Sequence, residues 1–558
     1  MKDYFYQKIK FFVIVFFTGI FILSSNLFSA QAGITADEPL AVLAGKKIIE
    51  MGGNAVDAAV TIGFVMAVTY PQAGNIGGGG FMIVKMKGKD PVFIDYRETA
   101  PSGFDIKAFF DEKGNFVRKR ALFGYMASGV PGTVKGLYKA WKMFGKLKWR
   151  TLLQPAIELA EKGFTVRPFL ARSFKRYERI FRMFPESERI FLNGGKGFIA
   201  GDILIQPELA HTLKLIAERG ADGFYRGETA EKLEKDFISH GGWITKRDLE
   251  NYEAKVRTPV IVDYKGYKII LPSLPSSGGP VIAEILNIFK NFNVPKDDVF
   301  YYNLLAEAMK VSFFDRSYYM GDADFNKELP IKAFTNEAYA KEKANMIKIG
   351  KVLKIDKKSM PSPFDYEKNN TTHFSVVDKE GNAVANTYTL NSIFGSGVIA
   401  KGTGIIMNNE IDDFGFGEKN ANQFGLITSN YNLAGPGKRM LSSMSPAIVL
   451  KNGEVYVISG AAGGPKIISA TLQIILNIVE RGMNLKKAAE YPRIHHQYFP
   501  DILFVDKKMP EDCVKELEKI GYKIRRLRSI AVANSILISG KKTYTMPDRK
   551  RVGYGISF

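Results

Sequence analysis

The sequence predicts an α/β protein of the α+β kind, with a mostly helical first part and a strand-rich second part. Three observations predict it. Apolar and alanine-rich stretches at helical spacing dominate the first part. Later, the turn signals Gly381-Asn382 and Asn452-Gly453 each sit between alternating apolar runs. Between the two regimes lies Lys351 to Asn370, an irregular polar tether rich in Lys, Ser, Pro and Asn, and the best domain boundary in the chain.

Taken in order, Ala41 to Ile49 reads as a helix closed by Gly52-Gly53. Asn54 is placed to cap a second, alanine-rich helix running to about Thr69. Gly77 to Gly80 then precede a strand, Phe81 to Val84. Four glycines let the backbone pack very close to something, either as the wall of a substrate site or as a tight core crossing, and the sequence does not separate the two. No Lys-Ser/Thr follows them, which excludes a phosphate-binding P-loop. Val92 to Tyr96 is a short strand that delivers Arg97 and Glu98. Residues from about Gly132 to His240 are mostly helical. Tyr267 to Leu271 is a strand leading into a loop, Pro275 to Gly279, with more helix as far as Asp315-Arg316. Beyond the tether, Phe374 to Val377 and Ala383 to Leu390 form one hairpin. Ala447 to Leu450 and Glu454 to Ile458 form another, and Ile467 to Val479 is a helix.

A chain of 558 residues, 46% hydrophobic and 24% charged, can bury a large core. The net charge of +21 is large, but the Lys and Arg residues are spread along the chain among acids. No basic helix, zinc finger or RNA-binding signature accompanies them, so nucleic-acid binding is not expected. The first 32 residues read as a signal peptide, with lysines in Met1 to Lys10, an apolar run from Phe11 to Leu23 and a small-x-small site at Ala30-Gln31-Ala32. A periplasmic or secreted protein is expected. Its single cysteine, Cys513, allows no intramolecular disulfide and reads as packed rather than reactive. The five histidines show no metal-ligand spacing, and no catalytic metal is expected.

The chemistry centres on Asn370-Thr371-Thr372-His373. A threonine at the head of a strand, just after an exposed tether, can attack the peptide bond before it and emerge as a new N-terminus. A threonine hydroxyl is a weak nucleophile that needs a base. The freed α-amine, with a pKa of roughly 7.7–8.0, supplies one on the same residue. His373 lies one pleat away on the same face and reads as structural. The stretch Ser459 to Pro465 follows a strand and precedes a helix. Its paired glycine N–H groups can hold an oxyanion, although a plain strand-to-helix turn accounts for the string equally well.

With these residues in hand, the chain resembles the γ-glutamyltranspeptidases (glutathione hydrolases) of the N-terminal nucleophile hydrolase group, from about Ala41 to Gly555. The resemblance is carried by GGNAVDAAV at Gly52, GGGGFM at Gly77, DYRETAP at Asp95 and GVPGTVKG at Gly129. It continues with DRSYYMGD at Asp315, TTHFSVVD at Thr371, TYTLNSIFGSG at Thr387 and NNEIDDF at Asn408. KRMLSSMSPAIV at Lys438, GAAGGPKII at Gly460 and PRIHHQ at Pro492 complete it. It implies a four-layer αββα sandwich made from two autoprocessed pieces, a large subunit (33–370) and a small subunit (371–558), cut between Asn370 and Thr371. Thr371 would be the nucleophile, Thr389 would help activate it, and Gly463 and Gly464 would form the oxyanion hole. Arg97, Ser442 and Ser443 would bind the α-carboxylate of a γ-glutamyl group, and Asn391, Glu410 and Asp413 its α-amino group. The donor would be glutathione or another γ-glutamyl compound, the acceptor water, an amino acid or a peptide, with no cofactor. An α-amino acid head group carries both charges, so one fixed cation with carboxylates opposite is the complementary design.

Rival expectations are a related acylase or poly-γ-glutamate depolymerase on the same scaffold, and an inert exported binding protein. Phe414 to Lys438 aligns with the family's lid. Phe424 stands where some members have a tyrosine, so closure is expected to rest on packing alone.

Overall fold

The computed structural model describes residues 31–330, 332–356, 360, 373–417, 420–427, 429–548 and 553–558. Residues 1–30 of the expected leader, Asn370 and Thr371 lie outside the described residues.

Two antiparallel sheets stack face to face. The first has seven strands in the order Tyr554–Ser557, Gly33–Ala36, Phe374–Val377, Ala383–Thr389, Gly79–Lys85, Val92–Tyr96 and Lys255–Arg257. The second has six, in the order Lys542–Met546, Val532–Ser539, Glu454–Ala462, Ala447–Lys451, Tyr267–Leu271 and Val260–Tyr264. The period-2 rule shows directly in the packing. Phe81 and Ile83 face inward with Phe93, Ile270, Ile448, Ile458 and Ile536, forming the core between the sheets. Their neighbours Met82, Val84 and Ile94 face outward into a second core, against helices. Val449, Val457 and Leu537 do the same on the other side.

Helices Ala55–Thr69 and Thr133–Phe144 cover the first sheet, and Gly278–Phe289 and Lys466–Val479 the second, while Trp149–Lys162 packs on Ala55–Thr69 and Asp298–Tyr319 on Gly278–Phe289. The result is the expected αββα sandwich. Ala55–Thr69 is buried along its whole length, so its sequence is apolar on all sides rather than on one stripe. Asn54 caps it, with Asp57 completing a capping box. Asp378 Oδ2 also accepts from Ala55 N at 2.9 Å. The turn of the first hairpin therefore caps a helix that lies more than 300 residues earlier.

Several boundaries differ from expectation. Gly278 and Gly279 belong to the helix Gly278–Phe289 rather than to a loop, because this segment is buried against the second sheet. Ser459 to Ala462 continue the strand Glu454–Ala462, paired with Val532–Ser539, so the turn shrinks to Gly463, Gly464 and Pro465. Cys513 is buried, and burial pushes its thiol up to about 11, as befits a packed residue.

The glycine run resolves as a tight core crossing. A Cβ on Gly77 would lie 2.1 Å from Ile406 O, one on Gly78 2.1 Å from Thr389 O, and one on Gly80 2.4 Å from Thr387 O. The run seats the strand that ends at Thr389. Gly78→Ala is expected to lower the melting temperature by several degrees or prevent soluble protein from accumulating, because the clash is with backbone. Gly103→Ala, whose Cβ would meet only Trp243 at 3.8 Å, should leave the melting temperature unchanged. Thermal melts of the two variants check this, and equal shifts would contradict it.

Candidate active site

Three chain turns converge at one edge of the sandwich. The first follows the strand Ala383–Thr389. The Thr389 carbonyl accepts from Asn75 Nδ2 at 3.0 Å, and Asn75 Oδ1 accepts from Gly78 N and from Thr133 Oγ1. The Thr389 hydroxyl accepts from Asn391 N at 2.8 Å, which leaves its own proton to donate. Asn391 and Phe394 hold φ of 71° and 59°, strained values for residues with side chains. Asn391 Nδ2 donates to Asn409 O, and Asn409 Oδ1 accepts from Ser392 N. The turn is thereby locked to the segment that leads into Glu410–Asp413.

The second turn is Gly463-Gly464, with φ of 145° and 60°. Neither N–H donates to another group among the described residues. The third is Ser442-Ser443. Ser442 O accepts from Ser277 N and Ser277 Oγ, and Arg316 Nε holds Ser277 Oγ at 2.9 Å.

These turns enclose a cavity of about 280 Å³. Thr389, Asn391, Glu410, Asp413, Ser442, Ser443, Gly463 and Gly464 all line it. Arg97 stands directly behind the acids and is fully buried. Its Nη1 lies 2.7 Å from Glu410 and its Nη2 2.8 Å from Asp413, while Nε donates to Met440 O. A carboxylate seeking the same nitrogens must compete with these two acids. Asp95 accepts from Arg97 N and pairs with Arg257, so the arginine is fixed from behind as well. His373 is structural, as expected. It packs on Gly460 and contacts Thr387 and Ser375, and burial depresses its pKa to about 3.

Burial works against the Arg97 charge, yet Glu410, Glu98 and Asp413 outweigh it and hold the guanidinium ionised. The acids bear the cost. Burial raises Glu98 to about 7 despite Arg97. Glu410 is driven well above the usual carboxylate range by burial and by its acidic neighbours Glu98 and Asp413. Glu410 Oε1, in the cavity wall, has no hydrogen-bond partner among the described residues. Three acids surround one arginine, so this wall suits a cation.

Across the cavity mouth runs the segment expected to be a lid, and here one expectation needs correction. Its tip does not rest on packing alone. The Phe424 ring lies against Gly464, where a Cβ would be 2.8 Å from it. Hydrogen bonds also hold the tip. Gln423 N donates to Asp412 Oδ2, Gln423 Oε1 accepts from Ser392 Oγ at 2.9 Å, and Gln497 Nε2 donates to Phe424 O. Asn422 shapes the turn, accepting from Phe424 N and Leu426 N while donating to Asp413. The amide of Gln423 supplies the polar tie that Phe424 lacks.

Sequence reasoning missed Asn75, Arg316, Ser392, Gln423 and Gln72, the last also lining the cavity. Gln72 and Asn75 left one visible signal, as two amides between the end of an apolar helix and the glycine run.

The family model described as gamma-glutamyltranspeptidase matches residues 41–558. The chain is 43% identical over 514 residues to a glutathione hydrolase proenzyme of Escherichia coli, covering 91% of this chain and 88% of the relative. It is 40% identical over 552 residues to that of Pseudomonas aeruginosa, covering 96% of each. Among solved structures, a cephalosporin acylase from Bacillus halodurans superposes with a TM-score of 0.85 at 26% identity, over 95% of this chain and 96% of that one. A Helicobacter pylori gamma-glutamyltranspeptidase chain gives a TM-score of 0.57 at 40% identity, over 61% of this chain and 96% of that one. The match runs through the strands, the acid-lined cavity and the glycine turn alike, and the chain belongs to the gamma-glutamyltranspeptidase family.

Proposed function

We propose that Thr371 is the nucleophile of this γ-glutamyltransferase and glutathione hydrolase, and that the chain makes it by cutting itself. The Thr371 hydroxyl attacks the Asn370 carbonyl, and the Asn370–Thr371 C–N bond gives way to an ester. Water hydrolyses the ester, leaving a carboxylate on Asn370 and a free amine on Thr371. In turnover that amine accepts the hydroxyl proton while the oxygen attacks the γ-carbonyl carbon of a γ-glutamyl amide. The tetrahedral oxyanion falls to the N–H groups of Gly463 and Gly464. The proton passes to the leaving amine as the C–N bond breaks. Water or the amine of an amino acid or peptide then attacks the γ-glutamyl ester and restores Thr371. Thr389 donates its free hydroxyl proton to the nucleophile.

The single observation that carries this reading is the cavity itself, which joins a donor-rich glycine turn to a wall of Glu410 and Asp413 backed by Arg97. The acids take the α-ammonium of the substrate. Asn391 joins them there, while Ser442 and Ser443, with the field of Arg97, take the α-carboxylate. The acylase reading lacks a comparable support, because an acyl group without an ammonium leaves these acids uncompensated. The leader supports an exported, periplasmic or secreted enzyme whose two subunits come from one precursor.

Thr371→Ala is expected to stay a single chain without glutathione hydrolysis, whereas the wild type yields two pieces meeting at Asn370/Thr371. Intact mass spectrometry and a glutathione assay check both.

Protonating Glu98 or Glu410 removes negative charge from the site of the ammonium, and substrate binding favours the ionised acids. The KM for a γ-glutamyl donor should therefore rise as pH falls below about 7, the value to which Glu98 is raised. A flat KM across that range contradicts the assignment. Asp413→Asn should raise KM by about tenfold or more, since it removes one partner of a buried charge contact.

A further inference from the structure

Both Nη nitrogens of Arg97 are spent on Glu410 and Asp413, so the fork that would grip an α-carboxylate is already filled. With three acids around one arginine, this part of the site is short of positive charge. A second guanidinium stands behind the Ser442-Ser443 turn. Arg316 lies near the end of the helix Asp298–Tyr319 and is 1% exposed. Burial lowers it to about 10, with Asp413 opposing the shift, so it keeps its charge at neutral pH. Its Nε is used on Ser277 Oγ, and its Nη1 has no hydrogen-bond partner among the described residues. A buried cation so sparsely satisfied is costly unless a nearby charge offsets it.

The charge reaches the cavity through a directed chain. Ser277 Oγ accepts from Arg316 Nε at 2.9 Å and donates to Ser442 O at 3.1 Å, and Ser277 N donates to the same carbonyl at 3.3 Å. Ser442 N donates to Pro275 O, which fixes the turn from its other side. The Ser442 carbonyl is thereby turned back toward Arg316. In a planar trans peptide the N–H that follows points the opposite way. That N–H belongs to Ser443, which lines the cavity, and it donates to no group among the described residues. The peptide dipole therefore has its negative end toward the cation and its positive end toward the cavity, an alignment in which each hydrogen bond strengthens the next. The two serine hydroxyls and one N–H, backed by a guanidinium, complement a carboxylate better than a neutral group.

We propose that Arg316 is the second cation of the head-group site, a positioning residue that acts through Ser277 on the Ser442-Ser443 turn and gives that turn its preference for a charged carboxylate. This rests on the γ-glutamyl-transfer reading and deepens it, because it divides the work between two buried arginines. Arg97 holds the acids that meet the α-ammonium. Arg316 backs the serines that meet the α-carboxylate. A head group whose carboxylate is neutralised loses the contribution of Arg316 and keeps the rest.

The test uses L-glutamate and its α-amide, in which a neutral carboxamide replaces the α-carboxylate. Both serve as competitive inhibitors of γ-glutamyl-p-nitroanilide hydrolysis by the matured enzyme. The wild type is expected to bind L-glutamate about tenfold or more tightly than the amide. In Arg316→Met that preference should shrink about tenfold through weaker binding of L-glutamate, and Arg316→Lys, which keeps the charge, should recover part of it. Weakening of both ligands by one factor, an unchanged preference, or no recovery with lysine overturns the proposal and leaves Arg316 a structural role. Should Arg316→Met fail to mature, Ser277→Ala decides, because it cuts the chain of hydrogen bonds and keeps the guanidinium. A reduced preference for L-glutamate in that variant supports the proposal, and an unchanged one overturns it. Equal affinity of the wild type for the two ligands also overturns it. A wild type that cleaved no γ-glutamyl donor and bound neither ligand would instead contradict the γ-glutamyl reading.

Discussion

The buried guanidinium of Arg97 is the interaction on which the site depends. A charge with no exposure survives only if it is paired, and here the pairing draws three acids inward, from different segments. Glu98 adjoins Arg97 in sequence, whereas Asp413 lies 316 residues away. The acids repel one another and resist burial, so each holds its proton more tightly than an exposed carboxylate. A ligand that brings an ammonium to this wall relieves the repulsion. The same arrangement that costs stability in the protein alone thus becomes recognition in the complex, the usual trade at functional sites.

The arginine is held in place by the sandwich. It follows the strand Val92–Tyr96, and Asp95 on that strand grips its backbone. The neighbouring strand Gly79–Lys85 begins with glycines because a Cβ on Gly79 would meet Tyr96 and Glu98, and one on Gly80 the strand ending at Thr389. Strands from before and after the tether pair within both sheets, with Gly33–Ala36 between Tyr554–Ser557 and Phe374–Val377, and Tyr267–Leu271 against Ala447–Lys451. Cutting the chain at the tether breaks none of these ladders. Two pieces so interleaved stay together through their core.

Local signals made much of this legible in the sequence. Asn54 marked a helix start, Asn452-Gly453 a hairpin and the glycine run a close approach, because each works within a few residues. The motifs TYTLNSIFGSG and NNEIDDF marked Thr389, Asn391, Glu410 and Asp413, and the fold brings those four to one cavity. What the sequence did not reveal depends on pairing across long separations. Nothing local says that Gln423 reaches Ser392, 31 residues away, or that Gln497 reaches the Phe424 carbonyl 73 residues away. A phenylalanine for a tyrosine was visible, but the compensating amide beside it was not. Likewise Arg97, Glu410 and Asp413 were legible as the charges of one site, while the direct pairing of both acids on the guanidinium fork was not.

In the proposed reaction a γ-glutamyl group passes through an ester on Thr371. The most direct measurement is to mix the matured enzyme with a γ-glutamyl donor, quench in acid within a turnover, and weigh and sequence the pieces by mass spectrometry. The piece beginning at Thr371 is expected to gain the mass of one γ-glutamyl group, and fragmentation to place it on that residue. A γ-glutamyl adduct on another residue, or turnover through a quench that captures no adduct on an enzyme blocked in deacylation, would contradict it.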